Sequence, residues 1–336
     1  MNTPFGGPRK WLPLVLGAAL ALAAVAASLS TVKASASAAA GPKIYVVAPL
    51  VNNTFWQAVK NGAQQAAKDY GVNLVYAAPQ TGQEQAMPPL INAAIASGAK
   101  GVAIDYSGKF MEQITKKALG RGLAVVLYNN NRFEKQSGGA TTDPAVTRLA
   151  YVGQDERFSG EVLAKAFGPL IKKKGTVLLV NPFPTAFVLS LRASGVSRGL
   201  KAQGFKTTVL PADTGGDEPK NQQIISSYLT AHPSTVAVVG LGGPGGNPAA
   251  RAVKEKGLKI PVAVFDVDKT TAMLIQQGGM TLALDQQPYL QGYFAVANLA
   301  LKVKFGFTPV NVDTGTSIVT KKNLAEVLKR INSGRG

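Results

Sequence analysis

The amino-acid sequence predicts an α/β protein made of two doubly wound parallel-sheet lobes with a ligand cleft between them, and three observations predict it. Short apolar, β-branched runs recur along the chain, as in strands covered on both faces of a parallel sheet. Stretches of helical spacing separate these runs, which is the βαβ rhythm. The rhythm breaks between residues 129 and 149 and then starts again, so two successive units are indicated.

The first run, residues 44–48, ends at Pro49. Asn52, Asn53 and Thr54 follow with helix N-cap chemistry, and Val59, Ala63, Ala66 and Ala67 carry a helical stripe up to Gly71. Strands are expected next at 73–78, 101–106 and 124–128, with helices over 83–97 and 109–121 closed by Gly98 and Gly122. Beyond the polar loop, a strand at 150–153 leads into a helix over 155–174. The second unit reads as strands at 176–180, 208–210, 236–239, 262–265 and 281–284, with helices over 188–203, 219–230, 248–256 and 270–277. A helix over 289–305, a strand at 317–319 and a helix around 323–331 complete the pattern. The carboxyl ends of such strands face the crevice where open α/β sheets bind ligands, and two crevices turned to each other make a cleft.

The composition narrows the chemistry. The 336 residues contain no cysteine, which excludes disulfides, thiolate metal sites and cysteine nucleophiles. The lone histidine, His232, cannot build a histidine metal site and reads as a turn residue between a helix and a strand. Asp266 and Asp268 alternate along an expected strand, so they would point to opposite faces and make a poor acid/base pair. No enzyme activity, cofactor or metal ion is expected. The net charge of +18 is scattered over helix patterns, at Lys60, Lys116 and Lys172 for example, without interleaved aromatics. A solvated basic surface is therefore expected, and no nucleic acid as partner.

The amino terminus has the parts of a secretory signal: Arg9 and Lys10, an apolar run from Trp11 to Ala27, then Ala34-Ser35-Ala36 and Ala36-Ser37-Ala38. Residues 1–38 are expected to be removed, leaving a periplasmic chain that begins near Ala39 and carries no lipid, since no cysteine follows the run.

A glycine-rich stretch, Gly240-Leu241-Gly242-Gly243-Pro244-Gly245, has the spacing of a dinucleotide fingerprint, with Asp266 at the end of the next strand. Pro244 removes an N–H where a phosphate would want one. A glycine-lined wall of the cleft is the expectation, and a secreted NAD-binding enzyme is the alternative.

Five segments carry a family resemblance: IYVVAPLVNNTFWQAVKNGAQQAAKDYGVNL, SLRASGVSRGL, LTAHPSTVAVV, VAVFDVD and LALDQQPYLQG. In this order and spacing the chain resembles the periplasmic sugar-binding proteins of ABC importers, the ribose-binding type, over about residues 43–319. The resemblance implies the type I periplasmic binding protein fold, two Rossmann-like lobes joined by a three-segment hinge. Residues 39–154 plus 287–315 would form the N-terminal lobe, and 155–286 plus 316–336 the C-terminal lobe. It also implies a monomer that closes on a sugar or polyol and delivers it to an ABC transporter permease in the inner membrane. The second reading is a chemoreceptor or signalling binder of a nucleoside or furanose-like molecule.

By the same resemblance the ligand positions are Asn53, Phe55, Trp56, Asn129, Asn130, Arg192, Asp266 and Gln286. That set suits a monosaccharide, because aromatic faces cover its C–H patches while planar amide, carboxylate and guanidinium groups pair with neighbouring hydroxyls. Asn53 also suits a helix cap, and residues 129–131 also suit an ordinary turn. Replacing Arg192 by alanine is expected to abolish binding without unfolding the chain. The chain departs from the ribose type twice: Asn129-Asn130 stand where that type carries Asp-Arg, and Gly242-Gly243 where it carries Asn-Asp.

Overall fold

The computed structural model describes residues 41–51, 53–80, 84–131 and 143–336. The expected signal segment, Asn52 and most of the polar loop lie outside them. In chain order the first half reads β1 (Lys43–Val47), α1 (Thr54–Tyr70), β2 (Asn73–Ala77), α2 (Met87–Ala96), β3 (Gly101–Tyr106), α3 (Met111–Gly120), β4 (Ala124–Asn131), α4 (Pro144–Thr147) and β5 (Tyr151–Gly153). It continues with α5 (Glu156–Phe167), β6 (Thr176–Asn181), α6 (Phe187–Lys201), β7 (Lys206–Pro211), α7 (Glu218–Ala231), β8 (Thr235–Gly240) and α8 (Gly243–Glu255). Then come β9 (Val262–Phe265), α9 (Lys269–Gln277), β10 (Leu282–Asp285), α10 (Pro288–Phe305), β11 (Val312–Asp313), β12 (Ser317–Val319) and α11 (Leu324–Asn332).

Two sheets of the same topology result. One runs β11-β5-β4-β3-β1-β2 and the other β12-β10-β9-β8-β6-β7. Every neighbouring pair is parallel except β10 with β12. The central runs β3, β9 and β10 are buried on both faces, as a sheet covered by helices on both sides requires, whereas the edge strands β2 and β7 are partly exposed. Ile44 and Val46 pack toward α1 and α10, whereas Val47, Val102 and Ile104 pack toward α2 and α3.

The chain passes between the sheets three times, from β5 to α5, from β10 to α10 and from β11 to β12. Each of the first two passages hands a helix across: α5 packs on α6, and α10 packs on α1. Glycines allow these helices to touch backbone to backbone. A Cβ on Gly292 would lie 1.9 Å from the Val59 carbonyl oxygen, and one on Gly195 would lie 2.0 Å from that of Arg157.

Several elements differ from the sequence reading, each for a local reason. The helix expected over 155–174 ends at Phe167, where Gly168 and Pro169 turn the chain into a 3-10 segment. Pro88 and Pro89 sit at the start of α2, so that helix begins at Met87, behind a 3-10 turn at Glu84–Ala86. Conversely α8 starts at Gly243, well before Pro248, and carries that proline inside. Pro248 leaves the Pro244 carbonyl without its helical donor, and the buried Asn221 side chain supplies one at 2.9 Å. The short elements α4 and β11 were not expected. His232 caps the end of α7 with its ring 4.2 Å from that of Tyr228, a turn residue as expected.

Candidate functional site

The end of β4 and the loops that follow β1, β2 and β6 through β10 meet one cavity of about 840 Å³, so both sheets contribute to its lining. Each of the eight residues singled out in the sequence borders it. How each is held decides what it can offer a ligand.

Asn53 is the N-cap of α1, and its side-chain oxygen accepts the Phe55 N–H at 2.8 Å. The cap and the cavity wall are thus one residue, with the amide oxygen committed to the helix. Phe55 meets Trp56 edge to face at 4.9 Å, and Trp56 meets Tyr128 at 6.2 Å, so the indole is packed from behind while still bordering the cavity. Phe183, after β6, brings an aromatic ring from the other lobe.

Asn129 and Asn130 belong to β4, which runs to Asn131, so the alternative of an ordinary turn at 129–131 gives way to a strand end. Asn129 holds φ at 56°, a left-handed conformation that asparagine tolerates better than most residues. Its carbonyl accepts from the Tyr151 hydroxyl at 2.9 Å. Behind both amides lies a residue the sequence reading passed over. Asp105, fully buried at the end of β3, accepts from Asn129 Nδ2 at 2.8 Å and Asn130 Nδ2 at 2.7 Å. Burial, with the charge of Glu84 next in importance, pushes its carboxyl up to about 8 even though the two amides oppose the shift.

The other lobe is charged. Arg192 is 3% exposed and forms a two-point ion pair with Glu156, through Nε at 2.6 Å and Nη2 at 3.1 Å. Its Nη1 donates to the Leu241 carbonyl at 3.0 Å and lies 3.7 Å from an oxygen of Asp266. The guanidinium also sits 4.9 Å from the centre of the Phe265 ring. Burial works against its charge, but Glu156 and Asp266 together hold its pKa above the ordinary arginine value. Burial raises the Glu156 and Asp266 carboxyls, and Arg192 pulls both back.

Two sequence expectations are corrected here. Removing Arg192 would strand a buried Glu156, so its loss is expected to damage the fold as well as any binding. Asp266 and Asp268 do not point to opposite faces, because β9 ends at Phe265 and Asp266 takes φ 74°. Both border the cavity, where Asp268 caps α9 by accepting the Thr271 N–H at 2.8 Å. Gln286 donates to Asp266 at 2.6 Å and accepts from Gln291 at 2.9 Å, which fixes its amide.

The glycine-rich stretch forms the turn from β8 into α8, with Gly242 as N-cap, and Gly242, Gly243 and Pro244 border the same cavity. The lobes also touch across the cavity's edge. Thr54 Oγ1 lies 3.4 Å from Asp268 Oδ2, and Asn61 Nδ2 donates to the Gly334 carbonyl at 3.0 Å. Among the described residues no group of histidine, cysteine and acidic side chains is arranged to hold a metal ion.

Two like lobes with a polar and aromatic cavity between them define a binding protein of the two-lobe class. The periplasmic binding protein domain family matches residues 44–306, and this chain belongs to it. Over 302 residues the chain is 25% identical to the xylose/arabinose-binding protein XylF of Sulfolobus acidocaldarius, covering 85% of this chain and 73% of that one. It is 24% identical over 314 residues to the D-ribose/D-allose-binding protein of Pseudomonas aeruginosa, covering 90% and 96%. Among solved structures, a carbohydrate transporter from Acidothermus cellulolyticus in complex with myo-inositol superposes with a TM-score of 0.77 at 28% identity, covering 88% of this chain and all of that one.

Proposed function

We propose that this chain is an extracytoplasmic solute-binding protein that holds a neutral monosaccharide or polyol between its lobes and presents it, as a monomer, to an ABC transporter permease. The observation that carries this reading is the cavity itself, with Phe55 and Trp56 on one side, Phe183 on the other, and planar amide, carboxylate and guanidinium groups between them. The Arg192 charge is already shared between Glu156 and Asp266, and the other cation among the described lining residues, Lys269, is exposed, so the buried wall offers no unshared guanidinium to a phosphate or a uronate. An uncharged polyhydroxylated ligand meets that condition. The names of the relatives, which concern pentoses, hexoses and inositol, support the same class.

Binding would work by hinge closure about the three crossings. A ligand that contacts Asn53 and Asn130 on one side and Asp266 and Gln286 on the other gains its full set of contacts only when the lobes are together, and so shifts the population to the closed form. The contacts of Thr54 with Asp268 and of Asn61 with Gly334 would accompany that form. Lobe boundaries at residues 154/155, 286/287 and 315/316 fit this hinge, and residues 1–38 fit an export signal.

The test is a thermal-shift screen against pentoses, hexoses, myo-inositol and nucleosides, with NAD as control. A ligand that binds only the folded state raises the melting temperature. A rise with a sugar or polyol is expected. Stabilisation by NAD alone would transfer the assignment to the Gly240–Gly245 turn, and stabilisation by nucleosides alone to the signalling reading.

A further inference from the structure

Asp105 has no role in the sequence reading, yet it holds two of the residues that border the cavity. An ionised carboxylate can only accept hydrogen bonds. The end of an amide that faces it must therefore be the nitrogen end, which turns the oxygen end elsewhere. Asn129 and Asn130 both meet this condition, one on each carboxylate oxygen. A protonated carboxyl has a donor of its own, and an amide oxygen can then turn inward to take it.

We propose that Asp105 is the positioning residue of the first lobe's half of the site: it directs the oxygens of Asn129 and Asn130 to the ligand when ionised, and a proton on it frees one of the two amides to turn. The inference rests on the reading that the cavity takes a sugar or polyol, and it names what sets the donor and acceptor pattern there.

The surroundings of Asp105 make such a proton available near neutrality. Glu84 faces it from the turn before α2 and Glu156 from α5, while Tyr76, Tyr128 and Tyr151 face it from β2, β4 and β5. Both acids raise its carboxyl, and among the described residues no cation is paired with it. The three tyrosines stay neutral, since burial lifts each far above its ordinary range. Asp105 thus has a carboxyl raised to about 8 beside three tyrosines that stay neutral, so a proton on it is within reach of neutral pH.

The experiment uses the full chain and its Asp105→Asn variant, which keeps shape but can donate as well as accept. Two readouts are followed between about pH 6 and pH 9.5, a window set by the raised carboxyl. The first is the side-chain NH2 resonances of Asn129 and Asn130 by NMR, which need no ligand. The second is the affinity for D-xylose, D-ribose and myo-inositol. In the unaltered chain both pairs of resonances are expected to move together with one midpoint, and affinity for the sugar that binds to rise at least about threefold with pH. In the variant the movement disappears, and binding is weaker by about tenfold and flat with pH. Resonances that ignore pH, or an affinity that falls as pH rises, would overturn the proposal. Resonances that titrate while none of the pentoses, hexoses and polyols of the thermal-shift screen binds would leave Asp105 as the orienting group and overturn the sugar reading instead.

Discussion

The two lobes share one strand order and differ in how they hold polar groups at the same place. In each sheet the fourth strand runs into a residue with positive φ, Asn129 after Tyr128 in the first lobe and Asp266 after Phe265 in the second. Neither is glycine, so each is kept in a strained conformation by its surroundings. Around Asn129 those surroundings are a neutral amide pair on a buried acid, and around Asp266 they are a buried ion-pair network. The fold thus supplies matching positions, and the chemistry placed on them is decided separately in each lobe.

The largest way to break this comparison is to remove charge from the second lobe. Arg192→Ala leaves Glu156 buried without its partner, and a loss of about 3–5 kcal/mol is expected in denaturant unfolding, together with loss of sugar binding. Replacing both partners, Arg192→Met with Glu156→Leu, is expected to restore most of that stability and none of the binding. If the double variant is as unstable as the single one, the network holds the lobe together by more than charge balance.

The next test concerns what the lobes have in common. Gly292→Ala and Gly195→Ala each push a Cβ into a carbonyl of the neighbouring helix, one at the contact of α10 with α1 and the other at that of α5 with α6. Each should cost about 1–3 kcal/mol in unfolding experiments, since the helices must separate to make room. Similar losses in the two lobes would support equal roles for the two exchanged helices. A loss in one lobe alone would mean that only one of these crossings is tightly packed.

The part of this architecture that was legible in the sequence is the part that local pattern encodes. The apolar runs at 101–106 and 262–265 coincide with β3 and β9, because burial on both faces leaves a run that no amphipathic helix would show. What was not legible depends on partners distant in the chain. Asp105 is 24 and 25 residues from the amides it holds, and Glu156 is 36 residues from Arg192. A charged residue closing the apolar run Gly101–Ile104 was a usable signal for Asp105. Glu156, in contrast, looks like any acid in the first turn of a helix. Pro248 misled the boundary of α8 for the same reason, since the donor that tolerates it comes from Asn221 on α7.

The smallest expected effect lies in the first lobe and separates its buried acid from the charged network opposite. Asp105 has its carboxyl raised to about 8 in the folded chain, against an ordinary value of 3.8. Between those values the folded state holds a proton that the unfolded state has released, so stability is fully present below the lower value and falls as pH rises through the upper one. Over the pH unit below the upper value, the unaltered chain should lose about 1 kcal/mol from this group. Asp105→Asn removes the titration, so the variant's melting temperature should gain on that of the unaltered chain from pH 7 to pH 8. Glu156 is also raised, but its proton competes with Arg192, so Glu156→Gln should lower stability at every pH in that range. Opposite responses to the same carboxylate-to-amide change would mark the first lobe as built around a carboxyl that tolerates neutrality, and the second around one that must stay charged.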